Sequence, residues 1–180
     1  MSRIGNKVIV VPEGITLEIK DKNLVNIKSS TDQFSYKFHP LLNIVLKDNI
    51  VTITRPNNQV FMKKIHGTSR SLLFNMILGL QKPFIEKLEL VGLGYDVKQE
   101  GQNLVFNLGF SHQIVLPIPS NVQLEIIKNK TIIIKGSNKQ FVGEFAGKIA
   151  KLKKPEPYQG KGICYVGRYI HRKAGKSAKK

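Results

Sequence analysis

Short runs rich in Val, Ile and Leu, broken by turn residues, alternate along the chain with longer stretches whose apolar positions recur every three or four residues. Thr16–Lys20 and residues 24–29 flank Asp21-Lys22-Asn23, and residues 44–46 and Ile50–Thr54 flank Lys47-Asp48-Asn49. Both patterns predict β-hairpins. Val60, Phe61, Ile65, Leu72, Leu73, Met76, Ile77 and Leu80 then predict an amphipathic helix over residues 59–80, with a break near Gly67. Gln81-Lys82-Pro83 ends it, because proline and the residue before it both disfavour continuing a helix.

The second half repeats this plan. Residues 95–99 and 103–108 flank Glu100-Gly101-Gln102, and residues 122–127 and 131–135 flank Lys128-Asn129-Lys130. A last helix carries Phe141, Phe145, Ile149 and Leu152. Two echoes tie the halves together: Asn23-Leu24-Val25 with Asn103-Leu104-Val105, and IVTITRPNNQ from Ile50 with TIIIKGSNKQ from Thr131. Their common offset of about 80 residues predicts a duplicated unit. The expected fold class is α+β: two tandem similar domains, each an antiparallel or mixed β-sheet with one packed α-helix, plus a basic C-terminal tail. The expected boundaries are 1–82 for the first domain, 83–154 for the second, and 155–180 for a basic loop and tail.

Charge changes the picture from architecture to partner. Among 180 residues, 29 Lys and Arg face 12 Asp and Glu, a net +17. A field of that size points to a polyanion, with nucleic acid first and an acidic membrane surface second. The charge is also uneven: residues 148–180 hold 11 basic and one acidic side chain, a local +10, whereas residues 1–147 hold 18 and 11, a local +7. Lys148, Lys151, Lys153 and Lys154 close the last helix, where one or two cations suit the negative end of the helix dipole. The remainder call for an external anion.

Downstream, Pro155 and Pro157 stiffen the backbone, and Gly160 and Gly162 permit φ > 0 and a close main-chain approach to a ligand. Lys161 stands between those glycines, where its ammonium can meet phosphate, and Tyr158 and Tyr165 are candidates either for stacking on bases or for packing beneath the loop. Arg168, Arg172, Lys173, Lys176, Lys179 and Lys180 continue the basic run into a tail too polar to bury a core. Secondary candidates are His66, Ser69 and Arg70 on the first helix, open to an RNA or protein contact or to a hydrogen-bonded structural role, and Ser111 and His112 in a second-domain turn.

The segment KKPEPYQGKGICY with its Lys/Arg tail resembles the ribosomal protein L6 (uL6) family of the large subunit. MSRIGNKVIVVPEGI, HGTSRSLLFNMILGL, LELVGLGYDV and LGFSH follow in the order of that family's landmarks, so the resemblance spans nearly the whole chain. It implies two tandem domains of similar fold and binding to 23S-type rRNA, mainly through the second domain and tail. It further implies a place near the sarcin–ricin loop and stalk base, with translational GTPases and other large-subunit proteins as neighbours. The expected location is the cytoplasmic ribosome, with an organellar ribosome also open. Where the family pattern calls for Arg or Lys, this chain has Cys164, which removes one expected phosphate contact; Arg168, Arg172 and Lys173 stand close enough in sequence to compensate.

Other functions find little support. His39, His66, His112 and His171 are scattered, Gly92-Leu93-Gly94 lacks the rest of a dinucleotide fingerprint, and Gly160-Lys161-Gly162 lacks the spacing and hydroxyl of a P-loop. No catalysis, cofactor or metal is therefore expected. A single cysteine forms no internal disulfide, and neither a secretory leader nor a membrane-length apolar run is apparent. A membrane-bound role would need an amphipathic face or lipidation signal beside the tail. A free-standing RNA chaperone or regulator fits the composition equally well, and co-sedimentation with large subunits separates the two.

Overall fold

The computed structural model describes residues 3–30 and 32–176. The chain forms two compact units, the first built mainly from residues 1–83 and the second mainly from residues 84–180.

The first unit contains β1 (Ile9–Val10), β2 (Thr16–Lys20), β3 (Leu24–Lys28), β4 (Gln33–Lys37), β5 (Asn43–Lys47), β6 (Ile50–Thr54) and α1 (Val60–Gln81). Its strands make two antiparallel sheets, ordered β2-β3-β4 and β1-β6-β5. The β5–β6 turn is set by chemistry: Lys47 pairs with Ile50, leaving Asp48 and Asn49, both at positive φ. Two left-handed residues match the twist of the flanking strands, and Asp and Asn tolerate that conformation best after glycine. In the β2–β3 turn Asn23, also at positive φ, donates Nδ2–H bonds to the carbonyls of His39 (2.9 Å) and Leu42 (2.6 Å) and so ties down the β4–β5 connection.

Helix α1 runs unbroken through Gly67. One glycine costs about 1 kcal/mol relative to alanine, too little to interrupt a long helix held by packing. Its buried stripe is Met62, His66, Ser69, Leu73, Ile77 and Leu80, whereas Val60 and Phe61 face outward. The core it covers includes Ile9, Val25, Ile27, Val51 and Ile53.

The second unit contains β7 (Phe84–Val91), β8 (Asp96–Glu100), β9 (Asn103–Asn107), β10 (Ile114–Pro117), β11 (Gln123–Ile127), β12 (Thr131–Gly136), α2 (Lys139–Leu152) and β13 (Gly162–Tyr165). The meander β8-β9-β10 corresponds to β2-β3-β4, and β7-β12-β11 corresponds to β1-β6-β5. The duplicated plan expected from the sequence is therefore present, and the echo segments fall on β3 and β9 and on β6 and β12. Helix α2 buries Val142, Phe145, Ala146 and Ile149; Phe141, expected in that stripe, is 43% exposed on its flank.

Among the described residues, one element has no counterpart in the first unit. β13 adds an antiparallel fourth strand to β7, pairing Gly162 with Val91, Ile163 with Leu90, Cys164 with Glu89 and Tyr165 with Leu88. Residues 162–165, expected within a loop and tail, thus belong to the sheet that carries the core.

Candidate nucleic-acid interface

Helix α2 delivers Lys148 and Lys151 to its exposed side and ends at Leu152. The next residues return to the sheet through a loop locked by its own backbone. Ile163 N–H donates to Lys153 O (2.8 Å), Glu156 N–H to Lys161 O (2.9 Å), and Gly160 N–H to Glu156 O (2.9 Å). The outer bond closes the mouth of the loop and the inner two fix its tip.

The two glycines serve this closure. Gly162, at φ +148, lies so near the start of the loop that a Cβ would sit 2.6 Å from Pro155 Cα and 2.7 Å from Lys154 O. The expectation that it lets the main chain approach a ligand is corrected: the close approach is to the loop's own backbone, and Gly162 is buried. Gly160, at φ +73 and also buried, lies under the Arg172 guanidinium, one nitrogen of which would be 3.2 Å from an added Cβ. Beside it, Lys173 N–H donates to Pro157 O (2.9 Å). The start of the tail is accordingly a strap folded back over the loop.

This closure leaves Lys154, Pro157, Tyr158 and Lys161 exposed, with Pro155 half-buried at the base. Tyr158 is 54% exposed. Tyr165 is only partly exposed and packs against the second core, so of its two expected roles the structure supplies the packing one. Arg168, Arg172, Lys173 and Lys176 are exposed along the strap, while Lys179 and Lys180 lie outside the described residues. Among the described residues, Lys148, Lys151, Lys153, Lys154, Lys161, Arg168, Arg172 and Lys173 have no carboxylate within ion-pair distance. Their charge is left to be neutralised from outside.

Lys153 stands apart from the other lysines. It is half-buried, with Nζ 4.1 Å from the centroid of the Phe110 ring, a cation–π contact. Phe110 in turn stacks with His112, ring centroids 6.3 Å apart. The exposed turn holding Ser111 and His112 is therefore brought against the base of the lysine loop, joining two candidates far apart in sequence. Phe110 is legible in the sequence as a member of the Phe110-Ser111-His112 turn, but its contact with Lys153 is not, since an aromatic in a turn gives no sign of its partner.

Two of the three first-unit candidates, His66 and Arg70, make local contacts. His66 is 2% exposed; its Nε2–H donates to Ile53 O (2.8 Å), and Nδ1 accepts from an Arg55 guanidinium nitrogen (3.1 Å), which fixes the tautomer. Ser69 is buried. Arg70 donates through Nε to Lys7 O (3.2 Å) and through a second nitrogen to Val8 O (3.4 Å), with its guanidinium 4.6 Å from the Phe74 ring centroid. Those contacts hold the segment that leads into β1. His66 and Arg70 thus make hydrogen bonds of the structural kind weighed for this cluster, and Ser69 is placed in the buried stripe of α1.

Cys164 occupies a sheet position opposite Glu89 and is 7% exposed. Burial pushes its thiol pKa up, Glu89 pushes in the same direction, and Arg168 opposes them. Thiolate is the reactive form. Native Cys164 is therefore expected to react with a disulfide reagent at pH 8 at least about tenfold more slowly than in the denatured chain; equal rates, followed by absorbance, would show the strand to be open.

Among the described residues no cluster of three or more His, Cys, Asp or Glu is placed to hold a metal, and no helix is long and apolar enough to cross a membrane. Comparison with known proteins matches residues 11–82 and 91–166 to the family described as Ribosomal protein L6, one match in each unit. The chain is 54% identical over 181 residues to the large ribosomal subunit protein uL6 of Phytoplasma mali, covering all of both chains. It is 49% identical to that of Aster yellows witches'-broom phytoplasma, covering all of this chain and 98% of the relative, and 43% identical to that of Dictyoglomus turgidum, covering all of both. The tandem units, the basic loop and these full-length matches lead to one conclusion: the chain belongs to the ribosomal protein L6 family, as a non-enzymatic structural constituent of the large subunit of the cytoplasmic ribosome.

Proposed function

We propose that the second unit anchors the chain to large-subunit rRNA through the loop at residues 153–161 and the strap that follows. The docking region is that of the sarcin–ricin loop and stalk base, where translational GTPases bind. The observation that carries this reading is a set of exposed cations without acidic partners on a backbone locked by three internal hydrogen bonds. Phosphate contacts of this kind fix position without reading sequence, so recognition comes from matching the fixed shape of the loop to the shape of an RNA junction. Lys148, Lys151, Lys154, Lys161, Arg168, Lys173 and Lys176 supply the charge, and Ser111 and His112 extend the surface beside Lys153. The less charged first unit is left to neighbouring large-subunit proteins and to bound factors.

The salt dependence of binding tests this directly. Each neutralised phosphate contributes about 0.7 to 0.9 to the slope of log affinity against log salt. Replacing Lys151, Lys154 and Lys161 together with alanine is expected to flatten the slope for a large-subunit rRNA transcript by about two to three. Circular dichroism of the variant checks that the fold is kept. An unchanged slope in a folded variant removes the loop from the interface.

A further inference from the structure

Tyr169 is 85% exposed, more than any other aromatic side chain among the described residues. A single exposed aromatic on a loose chain end would need no explanation. This one is held. Val166 N–H donates to Lys87 O (2.9 Å), Arg168 N–H to Tyr165 O (3.1 Å), and Lys173 N–H to Pro157 O (2.9 Å). Only residues 169–172 lie between the last two anchors, and Arg172 at their end is itself seated over Gly160. The fold thus holds the backbone on either side of a large ring and leaves both of its faces to solvent, with the exposed Arg168 and Arg172 flanking it in sequence.

We propose that Tyr169 is a stacking platform for an unpaired base of the bound RNA, with Arg168 and Arg172 gripping the phosphates that flank that base. This rests on the RNA-binding reading above and adds a ligand class to it. The grooves of a regular RNA helix offer no ring for an aromatic face to meet, whereas splayed bases of loops and junctions stack on tyrosine readily and with little regard to sequence. The anchored backbone means that little ordering of the strap accompanies stacking, so more of the contact energy appears as affinity. An acidic membrane surface would also attract an aromatic flanked by arginines. The strap, however, is irregular chain tied to a folded loop and not an amphipathic helix able to lie in a bilayer interface.

The chain contains no tryptophan, so Tyr169→Trp places a single fluorescent reporter at the site. Titration of this full-length variant with a large-subunit rRNA transcript is expected to quench its emission at unchanged affinity. A perfect RNA duplex should quench it much less. Tyr169→Phe should bind as the parent chain does, and Tyr169→Ala about tenfold more weakly with the salt slope unchanged. If the parent chain fails to bind the transcript, the RNA-binding reading falls and this proposal with it. If the parent binds and Tyr169→Ala binds equally well, or loses affinity only through a changed slope, stacking alone is overturned. Absence of quenching by the transcript, or equal quenching by the duplex, overturns it too. A blue shift on phosphatidylserine vesicles in place of quenching by RNA overturns it in favour of a membrane contact.

Discussion

Gly162→Ala is expected to be among the most damaging one-carbon changes in the second unit. The new Cβ would meet backbone at 2.6 and 2.7 Å, atoms that cannot swing aside as a side-chain tip can, and it would do so at φ +148. Backbone strain of this kind costs on the order of 1–3 kcal/mol, and displacing the Lys154–Pro155 backbone also disturbs the bond from Ile163 N–H to Lys153 O. A total loss of about 2–4 kcal/mol is expected from the urea midpoint of the second unit. Affinity for rRNA should fall further, because the exposed lysines lose their fixed spacing. Gly143→Ala is the control: this α2 glycine has nothing within 4 Å of an added Cβ, so the change should be neutral or stabilise by up to about 1 kcal/mol. Similar destabilisation in both variants would show that the approach to Pro155 is not tight.

The second large effect concerns where the chain is cut. A protein ending at Lys154 lacks β13, and with it Ile163, which is fully buried, and Tyr165, which packs on the same core. Deleting one buried Ile side chain typically costs about 2–5 kcal/mol, and here the free edge of β7 is exposed in addition. The second unit of that truncation is expected to unfold or to melt far below the full chain. A protein ending at Gly167 keeps every β13 pairing and should melt close to the full chain. It lacks Arg168, Arg172 and Lys173, so its rRNA binding should weaken with a flatter salt dependence. The comparison separates folding from binding, which deletion from Pro155 onward cannot do. Equal melting of the two truncations would mean that β13 contributes nothing to the sheet.

Much of this architecture was legible in the sequence, for physical reasons that also mark where legibility ended. Hairpins show themselves because turn chemistry is local: Asp48-Asn49 and Lys128-Asn129 adopt positive φ within a few residues of the strands they join. The repeat was visible because the same local signals recurred in the same order. β13 was hidden, since its three apolar residues sit inside a basic Pro/Gly segment and their partner strand lies far back in the chain. His66 and Ser69 were misleading in another way: a hydrophobic pattern passes over polar residues, yet both belong to the buried stripe of α1, the histidine because Ile53 O and Arg55 satisfy its ring. Phe141 shows the same limit in reverse, as steps of four drift around a helix and Val142 takes the inward position. In the candidate interface the lysines were evident from charge alone. The Phe110 support under Lys153 and the Arg172 clamp over Gly160 depend on tertiary proximity that no local pattern encodes.

The placement of β13 also orders events in time. Every strand pairing of the first unit is complete within its first 54 residues, and its helix ends at Gln81. The second sheet instead waits for residues near the end of the chain to return to β7, a closure of high sequence separation and correspondingly slow. During synthesis, then, the first unit can be finished while the second still has an open edge. The lysine loop acquires its fixed shape only with that last rung. A chain released early would carry most of its positive charge without the geometry that directs it to one site.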